Sequence, residues 1–147
     1  MIAVGVGGGI TRLSRQPTPG SPPDSPPSQA VLDLGREVYT ANCAACHGAR
    51  GEGEPDWKLQ KADFTYPAPP HDSTGHTWHH SDPLLYAIIK GGSASYDTAT
   101  YRSRMPAWGD RLTGEQIEAV IAYLKSLWGE SERAFQAEVT RQARESQ

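Results

Sequence analysis

Three stretches of the chain carry apolar residues at helical spacing. Val31, Leu34, Val38 and Tyr39 fall on one face of a helix that runs on into Cys43 and Cys46. Leu84, Leu85 and Ile88 mark a shorter second helix. Ser81 or Asp82 stands where an N-cap is needed, Pro83 suits the first turn, and Gly91-Gly92 stops the helix. In the third stretch Thr113-Gly114-Glu115-Gln116 has the form of a capping box. Ile117, Val120, Ile121, Leu124 and Leu127 then recur at intervals of three and four to about Trp128, with Gly129 placed as a C-cap. No strand pattern precedes Cys43, so the expected class is all-α.

Gly35 sits inside the first helix, one turn before Tyr39. A glycine there costs about 1 kcal/mol relative to alanine, which points to a packing reason such as the close crossing of another helix.

The ends read differently from the middle. Residues 1–28 form a Gly/Pro-rich tail or linker, expected to be disordered. Its first ten residues are too short to cross a bilayer core, and no basic segment precedes them. Pro17 to Ser28 reads PTPGSPPDSPPS, which favours extended polyproline II and spans at most roughly 35 Å at about 3.1 Å per residue. Residues 130–147 are polar, with Phe135 and Val139 as the only large apolar side chains, and are expected to form a frayed C-terminal tail. That leaves residues 29–129 as the folded domain.

An apolar fraction of 37% with 12 prolines and 15 glycines is poor material for a core. A buried apolar cofactor would supply what is missing. The net charge of −3, without a long basic run, gives no indication of nucleic acid or an anionic membrane surface as a partner.

The candidate chemistry centres on Cys43-Ala44-Ala45-Cys46-His47. Two thiols separated by two residues and followed by an imidazole form the pattern for covalent c-type haem attachment. Each thiol adds across a vinyl group while the next side chain reaches the iron from the same helical turn. These are the only cysteines in the chain. Taken alone, the pentapeptide leaves open a redox dithiol, activated at a helix N-terminus, and a structural zinc site completed by later histidines.

Together, Gly35 and Tyr39 in G-R-E-V-Y-T-A-N-C-A-A-C-H-G and the apolar-aromatic run I-A-Y-L-K-S-L from Ile121 to Leu127 resemble class I c-type cytochromes over roughly Gln29 to Trp128. The resemblance implies three main helices wrapped around one covalent haem, with Gly35 and Tyr123 at the crossing of the first and last. It implies Cys43 and Cys46 as thioether anchors and His47 as proximal ligand. Arg104-Met105-Pro106-Ala107-Trp108-Gly109 looks like the family's M-P-x-x-G loop, which makes Met105 the distal ligand. Pro55 is placed to lend its carbonyl to the ring of His47. Trp57, Trp78 and Trp108 are expected in the pocket or core, and an indole N–H could hold a propionate. Arg50, Arg102 and Arg104 are expected near an exposed haem edge.

The function implied is single-electron transfer between extracytoplasmic redox partner proteins. The chain would be a carrier rather than an enzyme, able to serve beside an oxidoreductase, with a possible membrane tether through its N-terminus. Two alternatives stay open. One is a haem enzyme or sensor with a labile sixth site. The other is a transition-metal module using His71, His76, His79 and His80, which crowd P-P-H-D-S-T-G-H-T-W-H-H beside Asp72 and Asp82.

Overall fold

A computed structural model describes residues 26–93 and 96–146. It contains α1 (Gln29–Asn42), α2 (Ala44–His47), a 3-10 turn (Thr77–His79), α3 (Asp82–Gly91), α4 (Gly114–Ser126) and α5 (Glu130–Glu145). Among the described residues the only β-type pairing is an isolated parallel bridge between Thr65 and Arg102. No described helix is long and apolar enough to cross a membrane. The expected linker spans residues 1–28, of which 1–25, with the expected tether, lie outside the described residues, while Ser28 is ordered as the cap of α1.

The core is the crossing of α1 and α4. Val38, Tyr39, Ile117, Val120, Ile121 and Leu124 are all buried there, and Tyr39 is fully enclosed. Gly35 makes the crossing close. A Cβ at that position would lie 2.0 Å from the Ala119 carbonyl oxygen and 2.8 Å from Tyr123 Cβ. Tyr39 and Tyr123 then pack ring to ring at 5.3 Å. Val31 at the start of α1 stays exposed and Leu34 is half-buried, so the buried stripe is shorter than the periodicity suggests. Ser28 caps α1 through its hydroxyl, and the Thr113/Gln116 capping box starts α4 as expected.

α3 turns Leu85 and Ile89 into this core, while Leu84 and Ile88 lie half-buried on its flank. The helix ends at Gly92, whose φ of 71° suits glycine. There the segment from Met105 to Gly109 folds back over it. Trp108 and Gly109 donate their N–H groups to the Ile89 and Lys90 carbonyls at 3.1 and 2.9 Å, satisfying acceptors that the end of α3 leaves open. From the other side, Arg102 N–H donates to the Phe64 carbonyl at 2.9 Å and Arg104 pairs with Asp63. The Met105 segment is thus clasped between the end of α3 and the loop around Phe64.

Two expectations at the C-terminus are corrected. α4 stops at Ser126, and Gly129 is the N-cap of α5 with φ −67°, not a left-handed C-cap. Residues beyond it form a packed helix where a frayed tail was expected. The contacts are polar, and apolar periodicity does not register them. Buried Gln136 donates to Asp82 Oδ1 at 2.7 Å and to the His80 carbonyl at 3.2 Å, and Thr140 Oγ1 accepts from the Asp82 N–H at 3.0 Å. Lys125 completes the cluster at 2.6 Å from Asp82.

Three outcomes follow. Gly35→Ala should lose at least about 3 kcal/mol in denaturant unfolding, because backbone blocks the added methyl. Gln136→Ala should lose about 2 kcal/mol and release hydrogen-exchange protection in α5 before the rest unfolds. Asp63, ordinarily at 3.8, is held at about 2 by the Thr65 hydroxyl and amide and then by Arg104. Its pKa is depressed, so its contribution to the clasp is complete above 3.8 and lost as pH falls through about 2. An NMR titration of the Asp63 carboxyl should show this, and Thr65→Val should raise its midpoint.

Candidate haem site

The end of α1 passes directly into the one-turn α2. Cys43 N–H donates to the Tyr39 carbonyl at 2.8 Å, and His47 N–H donates to the Cys43 carbonyl at 2.9 Å. A three-residue offset on this turn sets Cys43 and Cys46 on one side. Neither is in a disulfide; Cys43 is half-buried and Cys46 exposed. Burial, and secondarily Cys46, pushes the Cys43 thiol up to about 11. An activated redox dithiol needs the opposite shift, so the structure speaks against that reading.

His47 is buried, and its Nδ1 lies 2.9 Å from the Pro69 carbonyl. A carbonyl only accepts, so Nδ1 carries the proton and the neutral ring keeps its lone pair on Nε2. Burial lowers the pKa of His47, opposed by the Pro69 bond and by Glu54, which favours that neutral state. The carbonyl expected from Pro55 is therefore supplied by Pro69. The path after His47 explains the change. Gly53 N–H returns to the His47 carbonyl at 2.7 Å and Glu54 N–H pairs with the Ala68 carbonyl at 2.9 Å, which brings Pro69 rather than Pro55 beneath the ring.

Met105 is half-buried against the core, together with Cys43, Ala44, Leu34, Trp78 and Trp108. Its N–H is held by Ser103 Oγ at 3.2 Å. The donor set fits a covalent haem: two uncommitted thiols, an imidazole presenting Nε2 one residue later, and a thioether on a clasped loop packed against the same core.

The four loop histidines do not form a ligand set. Among the described residues, no group of three or more His, Cys, Asp or Glu side chains is placed to hold a metal ion. His71 turns inward and stacks on His47 with ring centroids 4.0 Å apart. His76 stacks on Trp57 at 5.5 Å, and His79 packs against Trp78 and Phe135. The transition-metal expectation for this loop is corrected accordingly. Of these imidazoles only His76 and His80 meet each other, edge to face with centroids 5.4 Å apart, while His71 and His79 are turned to other rings.

Trp78 and Trp108 join the core as expected, while Trp57 lies outside it against His76. Arg102 and Arg104 stand together on the clasp, whereas Arg50 lies in the separate loop after His47. Sequence reasoning missed Pro69 and the contact between His71, which it placed among the loop's metal-ligand candidates, and Trp128. Buried Trp128 donates its indole N–H to the His71 carbonyl at 2.8 Å, tying the end of α4 to the loop beneath His47. The Pro-Ala-Pro-Pro-His run was the available signal.

The family profile described as Cytochrome c matches residues 32–128. The chain is 35% identical over 98 residues to the chloroplastic cytochrome c6 of Chlamydomonas reinhardtii, covering 66% of this chain and 55% of that protein. It is 34% identical to cytochrome c6 of Bryopsis maxima, covering 63% of this chain and 88% of the other. The cbb3-type cytochrome c oxidase subunit FixP of Sinorhizobium medicae is 32% identical over 67% of this chain but only 31% of its own length. On the profile match and these identities, the chain belongs to the cytochrome c family, as a class I electron-transfer domain built around one covalently bound haem c.

Proposed function

We propose that Cys43 and Cys46 hold the haem by thioether bonds, that His47 Nε2 and the Met105 thioether are its axial ligands, and that the chain shuttles single electrons between redox proteins outside the cytoplasm. The observation that carries this reading is the 2.9 Å bond from His47 Nδ1–H to the Pro69 carbonyl, one residue after Cys46. It fixes the tautomer that a proximal ligand requires and strengthens the ring as a donor. When bound, haem supplies an iron that alternates between two oxidation states.

The protein's part is to hold the ligands in place in both states. His47 is anchored by Pro69, and Met105 is clasped between the Gly92 end of α3 and the Phe64 loop. A histidine and methionine pair raises the reduction potential relative to two nitrogen ligands and fills both axial positions. The relatives named as cytochrome c6 and as an oxidase subunit support a carrier that works beside larger redox proteins.

The test is the ferric absorption spectrum of protein made with a c-type maturation system, with a haem stain after denaturing electrophoresis. The wild type should keep its haem through denaturation and show the far-red methionine-to-iron band. Met105→Ala should keep the covalent haem and lose the band, and Met105→His should lower the reduction potential. A band that survives Met105→Ala would overturn the distal assignment, and a wild type without covalent haem would overturn the whole reading.

A further inference from the structure

His71 has no part in the attachment motif or the axial pair, yet it is the side chain laid flat against the proximal ligand. The two imidazoles stack with centroids 4.0 Å apart and planes 27° from parallel. The residue is held at its backbone and at one ring nitrogen. Its N–H donates to the Gly51 carbonyl at 2.6 Å, and its carbonyl accepts the Trp128 indole N–H at 2.8 Å. Its Nδ1 lies 2.8 Å from the Thr77 hydroxyl, which reaches on to the Pro70 carbonyl at 3.4 Å. Tyr39 meets its ring edge-on at 6.4 Å.

The bond from His47 Nδ1 to Pro69 fixes one atom of the proximal ring, but a single hydrogen bond leaves the ring free to rock about that contact. A flat neighbour that cannot itself turn removes the remaining freedom. An aliphatic side chain of similar volume would fill the space without resisting the rocking. Both constraints come from one arm of chain, since Pro69 and His71 are two residues apart and Thr77 closes the arm on itself.

We propose that His71 is a positioning residue that sets the plane of the His47 imidazole, with Thr77 as the group that stops His71 from rotating. The proposal rests on the assignment of His47 as an iron ligand. It predicts a property of the iron site that simple packing would not change: the spread of the four haem-methyl proton shifts in the ferric protein. That spread reports the orientation of the axial ligand planes and contracts when a ring rocks.

The experiment is proton NMR of the ferric holoprotein for wild type and four variants, each checked for covalent haem and thermal midpoint. His71→Leu should contract the methyl spread while retaining covalent haem. Thr77→Val should contract it in part, with His71 still present. His71→Phe, which keeps a flat face but loses the bond to Thr77, should contract it in part as Thr77→Val does, and Thr77→Ser, which keeps the hydroxyl, should hold close to the wild-type pattern. A wild-type spread in both His71→Leu and Thr77→Val would overturn the proposal, even if their melting points fall. If His71→Leu does not fold, the contrast between Thr77→Val and Thr77→Ser decides alone. A wild type without covalent haem or hyperfine-shifted methyls would overturn the ligand assignment and this proposal with it, and its appearance before any substitution tells the two failures apart.

Discussion

Everything in this chain hangs from the point where α1 and α4 touch without a side chain between them. Only hydrogen at Gly35 allows the Ala119 carbonyl so close, and that approach brings Tyr39, Tyr123, Val120 and Leu124 into one enclosed layer. Because α1 leads straight into the cysteine pair, the crossing also fixes where the attachment turn begins. Because Trp128 follows α4, it fixes where the proximal arm is tied. A small apolar fraction is therefore spent where it positions chemistry. The rest of the fold is held by hydrogen bonds between loops and helix ends.

Two arms are attached to that frame, and each carries one proposed ligand or its support. The arm from Gly48 to Ser81 returns Pro69 and His71 beneath His47. The arm from Gly92 to Gly109 carries Met105 and closes on the open carbonyls of α3. Among the described residues neither arm has much regular structure, and both are fixed by long-range backbone bonds. The two arms are also tied to each other, through the Arg102 N–H on the Phe64 carbonyl and the Arg104–Asp63 pair, so the proximal and distal sides are held as one frame. α5 adds a further tie. Its buried Gln136 and Thr140 meet Asp82 at the start of α3, and its Phe135 leans on Trp78 and His79.

The helix pair, the capping box, Gly35 and the position of the Met105 loop were legible because each depends on local pattern or on short motifs. Pro69 was not, because Pro55, Pro67, Pro69 and Pro70 look alike in sequence and only the pairing of Glu54 with Ala68 selects among them. α5 was misjudged for another reason. Its buried face is amide and hydroxyl, and an apolar periodicity does not score a side chain that is buried in order to meet a carboxylate. The histidine loop shows the same limit: four imidazoles in ten residues suggest a shared ion, but direction is set by the fold, and although His76 and His80 meet edge to face, His71 turns to His47 and His79 to Trp78 and Phe135.

That dispersal leads to a last point about how the proximal side works. A proline-rich arm has few amide donors for regular structure, and this one is pinned by its own Gly51 carbonyl and Thr77 hydroxyl and, from outside, by the Trp128 indole. Each pin acts at or next to the residues that touch His47. The indole of Trp128 is rooted just past the last turn of α4, so the orientation of the proximal ring is referred back to the α1–α4 crossing through two contacts, Trp128 to His71 and His71 to His47. The proposed anchors Cys43 and Cys46 follow directly on α1, and the Trp128 contact to the His71 arm comes from the end of α4. The two helices that make the core thus approach His47 from opposite directions, and on the proposed ligation the stiffness of their crossing would be the stiffness of that ligand.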